Sequence, residues 1–495
     1  MPSHIPQRVH VAVLGGGPAG AAAAHLLADW GHDVLLVDRG SGRKALAESL
    51  PPSALPLLET LGVREAVDRA GFVHATGNTV WWGNGEMRVE AFPAGRRGYQ
   101  VLSSAFDALL RTHASAAGAV VHERATALRV SGAPGEPRQV TIDVAGVHRE
   151  VQADWVLDCT GRAAILARHV SRRSAPAVRT LALLGVWQRE GGWDLPDESH
   201  TLVESSTRGW AWSIPVSSTA RYFTVMLDPA HAVVADREGA ATQYEEELAR
   251  MPALGGIAAR GRLASPPWAC DATPYAHETL VSERALLVGD AASCIDPLSS
   301  FGVKKALASG WLAAIAVNTA LRSPAFAGGA MEFFARRERE VAQAATARLA
   351  TLSRDALEGG ASAFWTARAA LADEPEAGDP AEALRRDPEV LAAFERLKAQ
   401  PTVSLTKSAR FRQENLLLIR DHQLVPELHL TTPPFLEGVR YLRGVDVLAV
   451  AEIATNEADV GVMYESYVRR HGRATLPDFL GALSVLLGKG VLDLA

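Results

Sequence analysis

Val9-His10-Val11-Ala12-Val13-Leu14-Gly15-Gly16-Gly17-Pro18-Ala19-Gly20 is the stretch that decides the fold. Residues 9–14 are a short, largely apolar run that stops at glycine, the pattern of a strand buried in a parallel sheet. Gly15, Gly17 and Gly20 then fall in G-x-G-x-x-G spacing. Residues 21–30 are alanine-rich and helical, and Gly31 supplies a C-cap. A second apolar run, 34–37, ends in Asp38 and Arg39. Gly15 permits the tight turn, Gly17 lets backbone amides approach a pyrophosphate, and Gly20 lets helix and strand pack closely. The helix that opens at Pro18 and Ala19 turns its positive end toward phosphate. Asp38 stands where a carboxylate accepts ribose hydroxyls. A glycine-rich turn without a ligand is the plain alternative. Strand, turn, helix, strand and acid in this order predict a bound dinucleotide instead.

Some 270 residues later, 285–288 form another short apolar run, followed by Gly289-Asp290-Ala291-Ala292. Asp296-Pro297-Leu298-Ser299-Ser300-Phe301-Gly302-Val303 then opens a long helical stretch to about 321. Alone this is a strand, a turn and a helix with Asp290 as a cap. Paired with the first motif it resembles the flavin monooxygenases, a family that includes the flavin-dependent halogenases. The resemblance implies FAD in a glutathione-reductase-like Rossmann domain, with Gly289 and Asp290 at the ribityl-side sugar chain. It also implies that the helix after Pro297 points its N-terminus at the N1–C2=O edge of the ring, where Gly302 and Val303 bring backbone close. A helix N-terminus carries about half a positive charge, which suits the negative edge of reduced flavin. Two departures are visible. Thr160-Gly161 stands where single-component hydroxylases carry an Asp-Gly pair associated with NADPH use, which points away from direct NADPH reduction and toward a separate reductase or free reduced flavin. Ser103 stands where the family often has an arginine ahead of Phe106-Asp107.

Residues 79–82, 87–92, 181–188, 201–204, 209–214 and 222–227 alternate or run apolar like strands and predict a substrate-binding sheet. Trp210 and Trp212 are its candidate substrate contacts, with sheet core as the bland alternative. Gly209-Trp210-Ala211-Trp212-Ser213-Ile214-Pro215 resembles the W-x-W-x-I-P signature of flavin-dependent halogenases. Those enzymes use a lysine downstream of an early Glu-Ser, here Glu48-Ser49, yet no lysine occurs from 45 to 303. Arginine is a poor substitute, because guanidinium gives up its proton far less readily.

Glu48-Ser49-Leu50-Pro51-Pro52-Ser53, Cys270-Asp271-Ala272-Thr273-Pro274-Tyr275 and the run 296–310, DPLSSFGVKKALASG, are similar to one subgroup. Its flavoproteins mature the tryptophylquinone enzymes lysine ε-oxidase, glycine oxidase and quinohemoprotein amine dehydrogenase. The resemblance implies FAD-dependent hydroxylation of a tryptophan in a protein or peptide substrate, through a flavin C4a-hydroperoxide formed from molecular oxygen. Glu48, Asp271 and Tyr275 are the catalytic candidates, each also readable as a loop hydrogen-bond partner. Lys304 and Lys305 open the helix expected to face the flavin. A halogenase, a small-molecule aromatic hydroxylase and a non-catalytic peptide-binding protein are the alternatives.

The 495 residues and net charge of −6 fit a multidomain globular α/β protein with no basic block for nucleic acid. Three cysteines, Cys159, Cys270 and Cys294, lack metal-ligand spacing, so no metal site is expected. The odd count, together with the lack of a signal-peptide pattern and of a long apolar stretch, predicts a cytoplasmic protein away from the membrane. The expected domains are a discontinuous FAD-binding domain (1–73, 101–165, 262–330), a substrate sheet (74–100, 166–261), a helical region with an acidic linker (331–435) and a winged-helix-like module (436–495). That module, strand 439–442, helices 445–454, 460–470 and 476–488, and strand 490–492, is expected to bind protein or peptide, or to cap the fold.

Overall fold

The first apolar run is the strand Arg8–Leu14, at the middle of a sheet with neighbours parallel to it on both sides. Val13 pairs with Leu36 of Val34–Asp38 on one flank and with Leu157 of Val147–Asp158 on the other. Val120–Glu123 and Ala285–Leu287 extend the parallel set outward. Between the first two strands the chain crosses over through the helix Pro18–Asp29, whose alanines at 21–24 are fully buried. This crossover places the glycine turn at the carboxyl ends of the strands, where doubly wound sheets take their ligands. The computed structural model describes residues 5–40, 44–93, 95–133, 135–167, 173–174, 178–231, 237–372 and 380–495.

All six strands expected for the second sheet form. They run in the order Leu181–Gln188, Ala220–Leu227, Gly209–Pro215, Thr201–Ser206, Gly77–Trp81 and Met87–Ala91. Arg262–Leu263 and Trp268–Asp271 also pair with Leu181–Gln188. The boundary drawn at 262 therefore moves: 262–271 joins the second sheet, where both short strands find their partner. Ala47–Leu50, Gly98–Leu102 and Val73–Ala75 make a separate three-stranded sheet.

The chain divides into two units, Met1–Glu376 and Ala377–Ala495. The long helix Ala327–Ala356 and the helix Ala363–Ala369 fall in the first. The second is larger than the 436–495 segment. Its last strand, Leu492–Leu494, pairs with Leu405–Lys407, and its helix Leu476–Gly488 packs on Pro388–Ala399. A closing strand without its partner would leave backbone groups unpaired, which is why the unit extends back past 436. The helices Val447–Ala454, Val460–His471 and Leu476–Gly488 start where Asp446, Asp459 and Thr475 accept backbone N–H bonds as N-caps. Of the acidic stretch 370–387 read as a linker, residues 373–379 lie outside the described residues, while Pro380–Arg386 is a helix.

Candidate active site

Gly15 has φ +104°, and a Cβ there would lie 2.3 Å from the Cys159 carbonyl oxygen. At Gly20 a Cβ would meet the Gly15 carbonyl oxygen at 1.9 Å. Gly17 faces open space, with no atom within 4 Å of a Cβ built on it. The loop thus packs tightly on the protein side and leaves room on the ligand side. Asp38 braces it: Oδ2 accepts from the Gly16 amide at 2.7 Å and Oδ1 from the Gly40 amide at 2.8 Å. Each carboxylate oxygen keeps a further lone pair for a hydroxyl. Arg39 beside it is exposed. Arg111, which the sequence reading missed, donates to the Gly16 carbonyl at 3.1 Å and pairs with Glu123 at 2.7 Å. Its one signal is its place on the helix Ser103–Ala116, five residues after Phe106. Ser103 has a different task from the family arginine: its Oγ accepts from the Leu46 amide at 3.0 Å.

The second motif builds the opposite wall. Gly289–Ala291 is a single turn whose start is pinned by Ser309, the Gly289 amide donating to Ser309 Oγ at 2.7 Å. Lys305 is buried, donates to the Gly289 carbonyl at 2.6 Å and to the Ser293 carbonyl, and stands 3.9 Å from Glu338. It holds the turn from behind and is neither solvated nor aimed outward. The Asp290 carboxyl is raised by burial, against the pull of Lys305 and Arg162.

The structure brings Glu48 to this place. The strand Ala47–Leu50 sets its carboxyl where burial, then the charges of Asp290 and Asp107, push its pKa up to about 7. Asp107 is likewise pushed up to about 7, by burial first and by Asp38, with Arg111 opposing. Both groups stay protonated in the fold at a pH where the unfolded chain has released them. The apo-protein is therefore expected to lose stability as pH rises from about 4 to about 7, by a few kcal/mol on the order-of-magnitude scale. Thermal melts across that range check the sign, and Asp107→Asn should flatten the slope.

The other two catalytic candidates are held by structural bonds. Asp271 is ion-paired to Arg162 at 2.7 Å, accepts from the Thr273 amide at 2.9 Å, and has a side chain 60% exposed. Burial raises its pKa but these bonds lower it more, so it is a poor proton acceptor. Tyr275 is buried and donates to the Asp290 carbonyl oxygen at 2.6 Å, tying two loops together. Arg162, a further residue not foreseen, joins Asp271 to the Thr273 carbonyl and Cys294, at 3.0 and 3.1 Å.

Trp210 and Trp212 share one sheet face and one cluster, their rings 5.4 Å apart, but differ in burial. Trp210 is 1% exposed and packed with Trp82, Phe364 and Trp365, so it is sheet core. Trp212 is half-buried. It lies in a row across the sheet with Val203, Thr224, Leu184 and Trp268, which register side by side. Lys44 stands over Trp268, its Nζ 4.2 Å from the ring centroid. Among the described residues no His, Cys, Asp and Glu group could hold a metal ion, and no helix is long and apolar enough to cross a membrane.

A parallel sheet with an open glycine turn facing a second acidic turn is the architecture of an FAD-dependent oxidoreductase. The chain belongs to the FAD binding domain family, whose description matches residues 8–346, and it is a monooxygenase-type flavoenzyme that uses FAD. It is 30% identical to the tryptophan 2-halogenase of Chondromyces crocatus over 345 residues, 67% of this chain and 65% of that enzyme. It is 27% identical to the flavin-dependent halogenase armH1 of Armillaria mellea over 354 residues, 65% of this chain and 67% of that one. Among solved structures it resembles the flavin-dependent halogenase CmlS, with TM-score 0.78 and 21% identity over 99% of this chain and 96% of that one. It also resembles the peptidyl tryptophan dihydroxylase QhpG, essential for tryptophylquinone cofactor biogenesis, with TM-score 0.68 and 23% identity over 98% and 99% of the two chains.

Proposed function

We propose that this enzyme hydroxylates a tryptophan side chain of a protein or peptide substrate, in the biogenesis of a cysteine tryptophylquinone cofactor. The observation that carries the reading is the absence of any lysine from 45 to 303 in a chain otherwise so similar to tryptophan halogenases. With no lysine between 45 and 303 to relay an oxidised halide, the oxygen itself is the group left to transfer. The likeness to QhpG, which extends over nearly the whole of both chains, supports the choice of substrate class.

Gly15, Gly17, Pro18, Ala19 and Gly20 would hold the FAD pyrophosphate by backbone amides, and Asp38 with Arg39 the adenosine ribose. Gly289 and Asp290 would hold the ribityl side, with Pro297, Gly302 and Val303 against the ring. Bound and reduced by a separate reductase, FAD activates dioxygen toward an electron-rich ring carbon. The half-open row at Trp212 and Trp268 offers an aromatic ledge for the incoming indole. Glu48, near neutrality, takes the ring proton as the hydroxylated indole regains aromaticity. The unit Ala377–Ala495 has its own buried core, and we assign it the docking of the polypeptide. Docking energy there positions the indole without a tight pocket around the amino acid.

One observation favours a second reading. Lys44 is an amine standing over Trp268, in the same row as Trp212, and a halogenase would need one there. The two readings separate in one experiment. The enzyme, a flavin reductase and ¹⁸O₂ are incubated with a candidate partner protein, with and without bromide. Gain of labelled oxygen on one tryptophan, equal in both buffers, is expected. Brominated indole, or efficient oxidation of free tryptophan by protein lacking 377–495, would overturn the proposal.

A further inference from the structure

Lysine is scarce in this chain, with six lysines against 44 arginines. Two of the six are adjacent, in the first turn of the helix Gly302–Arg322. Lys305 turns inward to the Gly289 and Ser293 carbonyls and Glu338. Lys304 turns elsewhere. Its Nζ donates to Ser53 Oγ at 3.1 Å and lies 5.0 Å from the Phe301 ring centroid. Among the described residues no carboxylate lies within ion-pairing distance of it. Burial lowers its pKa, and no negative neighbour offsets that.

A half-buried ammonium whose only partners are a hydroxyl and a ring face loses more hydration than these restore, and it has no counter-charge. A negative group that arrives with a ligand restores the balance. Ser53 follows the strand that carries Glu48, and Glu48 is electrostatically coupled to Asp290. Lys304 therefore ties together the two segments that flank the FAD site, the 47–53 segment and the helix after Pro297. FAD gains negative charge when two electrons and one proton reach its ring. The start of the Gly302–Arg322 helix adds partial positive charge from its free amides.

We propose that the Lys304 ammonium is the counter-charge of the reduced flavin ring and raises the reduction potential of bound FAD. Lysine suits this place better than the arginine used nearly everywhere else, being a compact point charge on a flexible stem. The inference rests on FAD binding alone and stands apart from the identity of the substrate.

The test is reductive titration of the FAD-loaded protein against a reference dye, with flavin content measured alongside. Lys304→Met is expected to lower the two-electron potential by on the order of 30 mV. Lys304→Glu should lower it further, and Lys304→Arg should stay close to wild type. If Lys304→Met fails to retain FAD, Lys304→Gln, which keeps a donor toward Ser53, makes the same comparison. Wild-type potentials in the charge-removed and charge-reversed variants would show that Lys304 only anchors Ser53, and would overturn the proposal.

Discussion

Replacing Gly310 by alanine is expected to dismantle the FAD site instead of strengthening the helix it sits in. Helix propensity alone points the other way, since alanine is favoured over glycine by about 1 kcal/mol in a helix interior. Gly310 lies inside the helix Gly302–Arg322, however, where that helix presses against the first turn of Pro18–Asp29. A Cβ at 310 would lie 2.2 Å from the Ala19 carbonyl oxygen and 3.0 Å from its carbon. Both atoms are backbone, so no side chain can swing away, and one helix must move. Ala19 belongs to the phosphate-binding turn, and Ser309, one residue before Gly310, pins the Gly289 turn. A shift large enough to relieve the clash disturbs both ends of the cofactor site together. We expect a loss of about 1–3 kcal/mol from overpacking, and a protein purified without flavin. Thermal melts and the flavin-to-protein absorbance ratio measure the two effects. A more stable, fully yellow variant would show that the helices part at no cost.

Glu48→Gln is expected to lower turnover by at least 10²-fold while leaving FAD bound, the loss of a positioned proton acceptor. The substitution keeps the size and shape of the side chain and removes the ionisable group. On the proposed mechanism Glu48, with its pKa near 7, would act as a base once deprotonated, so wild-type activity should fall as pH drops through about 7. The variant should lack that limb and show a flat, low profile. The same substitution relieves the repulsion between Glu48 and Asp290, so the melting temperature of the variant should hold or rise at pH 8. A variant with wild-type turnover, or one that is slow with an unchanged pH limb, would assign the proton transfer to another group.

The local rules of the chain reach a long way here. The glycine turn, the helix behind it and the strands on either side follow from φ preferences and short-range periodicity, and the six strands of the second sheet from alternation and turn spacing. A bound dinucleotide follows from these, with FAD implied by the family resemblance, and the helices expected at 445–454, 460–470 and 476–488 form within two residues of those bounds. Such features are legible because each is decided within about a dozen residues. What remained open was decided by partners far off in the chain. Glu48 nears Asp290, 242 positions away, only because a three-stranded sheet brings it there, and Asp271 is ion-paired by Arg162, 109 positions earlier. Trp210 and Trp212 are equivalent by periodicity and share one cluster with Phe364 and Trp365, yet the first is fully buried and the second half-open. Lys304 and Lys305 are neighbours in sequence, but the helical turn directs one to buried carbonyls and the other to Ser53. Burial, charge coupling and close backbone contact depend on what packs against a residue, and only the tertiary structure supplies that.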